Sequence, residues 1–157
     1  MEKAIISTPL GLIEIQGDEN GVSKIYITEE EVEISTKIPE ELKQATFQIK
    51  EYFDGKRTCF TFTLNPSGTE FQRKVWQELL KIPFGKTCSY IELAKKLGDV
   101  KAIRAVASAN GKNPLWIVIP CHRVIGADGS LTGYAGGLWR KKWLLEHENP
   151  VVQKTLF

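Results

Sequence analysis

The order of apolar and polar positions divides the chain into two halves of different character. In the first half the apolar runs are short and alternating, the pattern of half-buried strands. Lys3–Ser7, Leu10–Gln16 and Val22–Thr28 predict three strands. Gly11 and then Asp18-Glu19-Asn20-Gly21 supply turns, so the second and third strands form a hairpin. Over Pro39–Phe53 the spacing becomes helical, with Leu42, Ala45, Ile49 and Phe53 on one face. Pro39 suits a first helical turn and Gly55 follows the end. Thr58–Leu64 alternates again, with Phe60, Phe62 and Leu64 on one side, and predicts another strand. Asn65-Pro66-Ser67-Gly68 reads as a linker.

After the linker the pattern is helical. Thr69 and Gln72 make a capping-box pair ahead of an apolar stripe of Phe71, Val75, Trp76, Leu79 and Leu80, and Pro83 and Gly85 end that helix. Ser89 and Glu92 make a second pair, opening a helix through Leu97 that Gly98 closes, with Ile91, Ala94 and Leu97 on its buried side. Asp99–Lys101 connects it to a third helix, which runs to about Asn110 and is closed by Gly111. Two short helices joined by a tight turn make a helix-turn-helix. Ala102, Ala105, Ala107, Ser108 and Ala109 leave the second of them nearly bald, which suits close approach to a groove. Alanine is also the best helix former, so plain packing explains the same residues. Leu115–Ile119 is a continuous apolar run ended by Pro120 and predicts a buried strand-like segment. Leu138–His147 predicts a final helix carrying Trp139, Trp143, Leu144 and Leu145 and delivering His147 and Glu148 toward the core. Strands first and helices second define an α+β chain, with domains at 1–64 and 65–157.

Charge sharpens that division. Residues 1–64 carry 7 Lys/Arg and 12 Asp/Glu, a net of −5, while residues 65–157 carry 14 and 7, a net of +7. A basic second half fits a polyanion partner, and it equally fits a solvated basic face. The run Glu29-Glu30-Glu31 reads as a solvated loop. At 157 residues the chain can bury a real core, and no apolar run is long enough to span a bilayer. Cys59, Cys88 and Cys121 are an odd set without metal or disulfide spacing, as expected of the reducing cytoplasm. No metal site and no cofactor are expected.

Pro120-Cys121-His122-Arg123 holds the candidate chemistry. A cysteine after an apolar run is most often a small hydrophobe. His122 beside it, and Glu148 after the second histidine, His147, allow a different reading, a thiol served by a histidine and a carboxylate. Such a thiol needs help, because at a pKa of about 8.5 it is mostly protonated at neutral pH. Neighbours in sequence need not touch, so the relay can pass through a water.

These residues, with Ser89-Tyr90, Arg104-Ala105-Val106, Asn113-Pro114, Gly133-Tyr134-Ala135-Gly136-Gly137 and Trp143–Glu148, resemble the active-site signature of the O6-alkylguanine-DNA alkyltransferases. The resemblance covers roughly Thr69 to Asn149; the first 60-odd residues are similar only in outline. It implies a ribonuclease-H-like first domain and a winged helix-turn-helix-like second domain. It also implies single-turnover transfer of an alkyl group from O6-alkylguanine in double-stranded DNA to Cys121, by a monomer. In its terms Cys121, His122, Glu148, Tyr90 and Asn113 are catalytic. Arg104, Tyr90, Ala102, Ala105, Ser108 and Arg123 face DNA, in the minor groove, with Arg104 filling the space of a flipped nucleotide. Val124, Tyr134, Ala135 and Gly136 line the guanine pocket. Some relatives hold a structural zinc in the first domain; this chain has only Cys59 and no histidine there.

Two other functions compete. A protein that binds alkyl lesions without chemistry would explain the helices, and the presence of Cys121 argues against it. A cysteine hydrolase would explain Cys121, His122 and Glu148, and leaves Tyr90, Arg104 and the bald helix without a role.

Overall fold

The protein is described by a computed structural model, which covers residues 1–131, 134 and 136–150. The chain forms two compact units. The first takes Met1–Ser67 together with Pro114–Val118; the second takes Gly68–Asn113 and the chain from Ile119 on. The sequence reading had a single boundary after Leu64. A five-residue excursion into the first unit, just before Cys121, leaves no local mark in composition. Among the described residues no helix is long and apolar enough to cross a membrane.

The first unit is built on an antiparallel sheet in the order β1 (Glu2–Thr8), β2 (Gly11–Asp18), β3 (Gly21–Ile27). Ala4 and Ile6 of β1 and Ile13 and Ile15 of β2 are buried on one face, as the sequence pattern predicts, and Ile5 and Glu14 between them are buried as well. Gly21 sits at φ 131°, where a Cβ would also press on Thr63, so the β2–β3 turn needs glycine. A short 3₁₀ turn, Glu40–Leu42, leads into α1 (Lys43–Phe53), which buries Ala45, Ile49 and Tyr52. Thr58–Leu64 is not a strand. Phe62 points inward as the alternation predicts, but the ladder amounts to one bridge between Leu64 and Val22. The Thr61 backbone is held by a side chain instead, its N–H donating to Gln48 Oε1 at 2.9 Å.

Leu115–Ile119 departs from expectation in the same way. Every residue in it is buried, yet only Leu115 bridges, to Ile25. The chain then turns, with Ile117 at φ 72°. A β-branched residue in the left-handed region is strained by about 1–3 kcal/mol, which the surrounding packing must hold. A short continuous apolar run reads the same whether the buried chain is extended or turning, so the turn was hidden.

In the second unit both capping boxes form. Thr69 opens α2 (Glu70–Leu79) and Ser89 opens α3 (Tyr90–Lys96), each accepting from the backbone three residues on and each answered by the Gln72 or Glu92 side chain. Each cap satisfies orphan N–H groups worth about 1 kcal/mol. Gly98, at φ 92°, turns the chain toward a 3₁₀ turn, Val100–Ala102, and α4 (Ile103–Gly111). Trp76 of α2 donates its indole N–H to the Ala109 carbonyl of α4 at 2.9 Å, which locks α4 against the capped helix. Phe71, Leu80 and Ile91 are exposed rather than buried; Val75, Trp76, Leu79, Leu93 and Ala94 carry the core. A two-residue parallel pair, β4 (Cys88–Ser89) with β5 (Val124–Ile125), joins the start of α3 to the segment after Cys121. The last helix is α5 (Leu138–Glu148).

Candidate active site

Cys121 opens a 3₁₀ turn, Cys121–Arg123, whose three residues are all buried. Pro120 before it cannot donate, and the Cys121 N–H returns to the Ile119 carbonyl at 2.8 Å, so the backbone at the thiol is rigid. The Asn113 amide donates to the same Ile119 carbonyl at 2.6 Å. Asn113 is the last residue before the excursion into the first unit and Ile119 the first after it. One side chain therefore clips together the two ends of that excursion, next to the thiol.

The thiol is 6% exposed, and burial pushes its pKa up. Opposing burial are, in order, the Asn113 side chain, the charge of Lys141 and the polar influence of the Tyr134 hydroxyl. All three favour a thiolate. The sulfur is thus kept neutral at rest, in surroundings arranged for its charged form.

His122 is fully buried. Its Nε2 lies 2.7 Å from Glu148 Oε2, and the carboxylate can only accept, so Nε2 carries the hydrogen. Among the described residues Nδ1 has no hydrogen-bond partner and is the ring's free base. Burial pulls the His122 pKa below the usual value, and Glu148 offsets that only in part, so the ring is neutral near pH 7. For Glu148 burial acts upward, and His122 and Arg123 together outweigh it, holding the carboxyl well below the usual carboxylate range.

Arg123 is a correction to the sequence reading. The structure buries it among protein groups rather than leaving it exposed. It is 7% exposed, and its guanidinium grips Glu148 with Nε at 2.7 Å and Nη2 at 3.0 Å while Nη1 donates to the Ile82 carbonyl at 2.7 Å. A bidentate fork is the geometry that fixes a carboxylate, here the one that orients His122. His147 is a second correction. It is half-buried and stacks on Trp143 at 4.9 Å between ring centroids, while Glu148 alone reaches the core. Trp139 stays exposed under the Arg140 guanidinium, and Arg140 also donates to the Gly136 carbonyl at 2.8 Å.

The other expected residues are spread over several elements. Tyr90 is the first residue of α3, half-buried behind its Ser89 cap. Arg104, Ala105 and Ser108 are exposed on α4, and Ala102 lies half-buried in the turn before it. Val124 is buried on β5, and its N–H already donates to the Cys121 carbonyl, leaving one lone pair there for a ligand. Ala135 lies outside the described residues. The sequence reading missed Lys141. It is fully buried on α5, its Nζ 6.0 Å from the Tyr90 ring centroid and 5.9 Å from that of Tyr134. Its signal was the spacing 141, 144, 145, 148, one buried helical stripe that ends in Glu148.

Fold and site together define a class. A capped helix-turn-helix unit carries a buried thiol, a histidine–carboxylate pair beside it and environment tuned to a sulfur anion. Comparison with known proteins places the class. Residues 70–150 match the 6-O-methylguanine DNA methyltransferase DNA-binding domain, and residues 1–66 match the ribonuclease-like domain of the same proteins. The chain is 44% identical to the methylated-DNA–protein-cysteine methyltransferase of Methanosarcina acetivorans, over 94% of this chain and 98% of that one. It is 42% identical to that of Mycolicibacterium paratuberculosis, covering 100% and 99%. Among solved structures it resembles Mycobacterium tuberculosis OGT in complex with DNA, with a TM-score of 0.86 at 42% identity and coverage of 100% and 99%. This chain belongs to the methylated-DNA–protein-cysteine methyltransferase family.

Proposed function

We propose that the protein repairs DNA by moving the alkyl group of O6-alkylguanine onto Cys121, and that each chain does so once. The observation that carries this reading is the buried His122 ring, bonded to Glu148 through one nitrogen and, among the described residues, without a hydrogen-bond partner on the other, in the turn that holds the thiol. His122 Nδ1 takes the Cys121 proton, directly or across one water, while Glu148 stabilises the imidazolium that forms. The sulfur attacks the alkyl carbon in line, the C–O6 bond breaks and its electron pair goes to the guanine. The proton lost by sulfur returns to the guanine ring, so thiol and alkylguanine become thioether and guanine.

The alkyl group lies inside the base stack, out of reach of a buried thiol, so the nucleotide must be extruded. Arg104, exposed in the first turn of α4, fills the vacated space. Tyr90 helps rotate the nucleotide and donates its hydroxyl to guanine N3. Small residues at Ala102, Ala105 and Ser108 let α4 approach the minor groove without reading sequence. Tyr134 and Gly136 wall the guanine, whose amine is accepted by the Cys121 and Val124 backbone. The protein acts as a monomer in the cytoplasm, where its three free cysteines stay reduced.

A gel shift paired with a methyl-transfer assay tests this function, because a lesion binder shifts the duplex without taking up its methyl group. Extrusion has its own test. Arg104→Ala is expected to slow repair of duplex DNA by roughly tenfold or more and to leave reaction with free O6-alkylguanine base nearly unchanged, since unstacking costs a few kcal/mol and the free base avoids it. Equal losses on both substrates move Arg104 from the duplex into the pocket.

A further inference from the structure

We infer that Ile117 is a positioning residue for Cys121: a strained turn centred on it fixes the direction in which the backbone enters Pro120 and the thiol. The inference rests on Cys121 being the alkyl acceptor. Between Asn113 and Ile119 the chain has five residues in which to leave, pair and return. Leaving and pairing use the first three. The Ile25 N–H of β3 donates to the Pro114 carbonyl at 2.8 Å, and the Trp116 N–H donates back to the Ile25 carbonyl at 3.1 Å. The return must start at once, because the Asn113 amide holds the Ile119 carbonyl at 2.6 Å. A β-turn takes four residues and a γ-turn three, so the γ-turn fits. The Val118 N–H donates to the Trp116 carbonyl at 2.9 Å across Ile117, whose φ of 72° makes this the rare, strained form of γ-turn.

A second γ-turn follows directly. The Cys121 N–H donates to the Ile119 carbonyl at 2.8 Å across Pro120, which sits at φ −82° and ψ 63°, the relaxed inverse form. From Trp116 to Cys121 the backbone is thus two three-residue rings in succession. The carbonyl that closes the second ring is the one the Asn113 amide grips. A glycine would make the first turn without strain, since it enters positive φ freely. A β-branched residue has only a narrow well there, so once the bonds at either end force it in, it has little room to move. Ile117 is 1% exposed, in a segment whose every residue is buried. The chain therefore accepts strain where it needs stiffness, four residues before the sulfur that must meet a carbon in line. Ile117 acts on that sulfur through the backbone of Val118, Ile119 and Pro120.

The test compares Ile117→Ala with Ile117→Gly in the full chain. Both empty the side-chain site, and they differ in the turn. At ordinary φ glycine is the less stable of the two; at φ 72° the order inverts, so Ile117→Gly should melt above Ile117→Ala. Two rates are then measured at a temperature where each variant is folded. One is methyl transfer within the saturated complex with O6-methylguanine duplex. The other is alkylation of the Cys121 peptide by iodoacetamide, an electrophile that no pocket orients. Ile117→Gly should lower transfer by roughly tenfold or more, the effect of a misdirected nucleophile, and leave iodoacetamide alkylation within about twofold. Ile117→Ala should transfer several times faster than Ile117→Gly, because the stiff turn survives in it. Transfer at the wild-type rate in Ile117→Gly overturns the proposal, and so does an equal loss in both reactions, which is general damage to the thiol. An alanine variant as slow as glycine also overturns it, by assigning the effect to the lost side chain. So does a glycine variant that melts below alanine or fails to fold, since glycine is the residue this turn accepts most readily. The melting order involves no DNA and no thiol, so it judges the turn even if peptide mapping of wild type finds the methyl group elsewhere than on Cys121.

Discussion

Cys121→Ser is expected to abolish methyl transfer while duplex binding persists within a few fold. A serine hydroxyl is far less nucleophilic near neutral pH than a thiol with access to its anion. The groups around Cys121 cannot make up the difference. Asn113, Tyr134 and Lys141 are placed to favour a sulfur anion, and His122 is a neutral base far too weak to ionise a hydroxyl outright. The substitution barely changes packing, because the side chains are alike in size and the site is rigid. On the proposed reading binding draws on other residues, chiefly the exposed face of α4 and phosphate contacts from the basic second unit. Transfer assayed with labelled O6-methylguanine duplex, beside a gel shift on the same preparation, separates the two properties. A serine variant that still takes up the methyl group would remove Cys121 from the mechanism.

Glu148→Ala is expected to damage both stability and chemistry. Its carboxylate is shared by two buried partners, His122 at 2.7 Å and the Arg123 fork at 2.7 and 3.0 Å. Without it the Arg123 guanidinium stays buried with the Ile82 carbonyl as its hydrogen-bond acceptor among the described residues and the Phe84 ring beside it. Breaking a buried pair by removing one side costs about 3–5 kcal/mol, a large share of the stability of a protein this size. Transfer should fall steeply as well, since the His122 tautomer is no longer fixed. His122→Ala with Glu148→Ala should cost much less than the two effects multiplied, because groups acting as a unit are not additive.

The pH dependence of that stability has a definite sign. The Glu148 carboxyl is lowered on folding, so its contribution is complete above the unfolded value of about 4.3 and is lost as pH falls through the folded one. His122 is also lowered, so the unfolded chain takes up its proton first, and stability begins to fall below about pH 6.5. Wild type should therefore lose stability steadily on acidification, and the Glu148→Ala variant should show a shallower slope in denaturant midpoints only below about pH 4.3, where the carboxyl itself titrates; above that its slope should be at least as steep, because His122 loses the carboxylate that raises its pKa. Parallel slopes would contradict the assignment of that acid sensitivity to Glu148 and His122.

Much of the helical half was legible because its signals are local. Thr69 with Gln72 and Ser89 with Glu92 declare helix starts within four residues, and Gly98 declares a stop. The first three strands were legible from alternation for the same reason. Elements decided by distant partners were not. Thr58–Leu64 has the alternation of a strand, but its backbone bonds go largely to the Gln48 side chain and to Val22. Leu115–Ile119 is apolar enough for a strand, and a left-handed Ile117 bends it into turns. At the site, Cys121, His122 and Glu148 stood out by residue type and by the resemblance. Arg123 and Lys141 did not, because a cation in sequence reads as a surface group. Only a carboxylate 25 residues away, and two tyrosines from separate segments, reveal why these two are buried.

A thioether has no acidic proton and is a poor leaving group, so neither His122 nor water can regenerate the thiol. The decisive measurement is intact-protein mass spectrometry with peptide mapping after limiting protein meets a large excess of O6-methylguanine duplex. The expected result is one methyl group per chain, on the peptide that holds Cys121, with repair of the duplex stopping at one equivalent. Continued repair past one equivalent, or a methyl group on any other residue, would contradict the account.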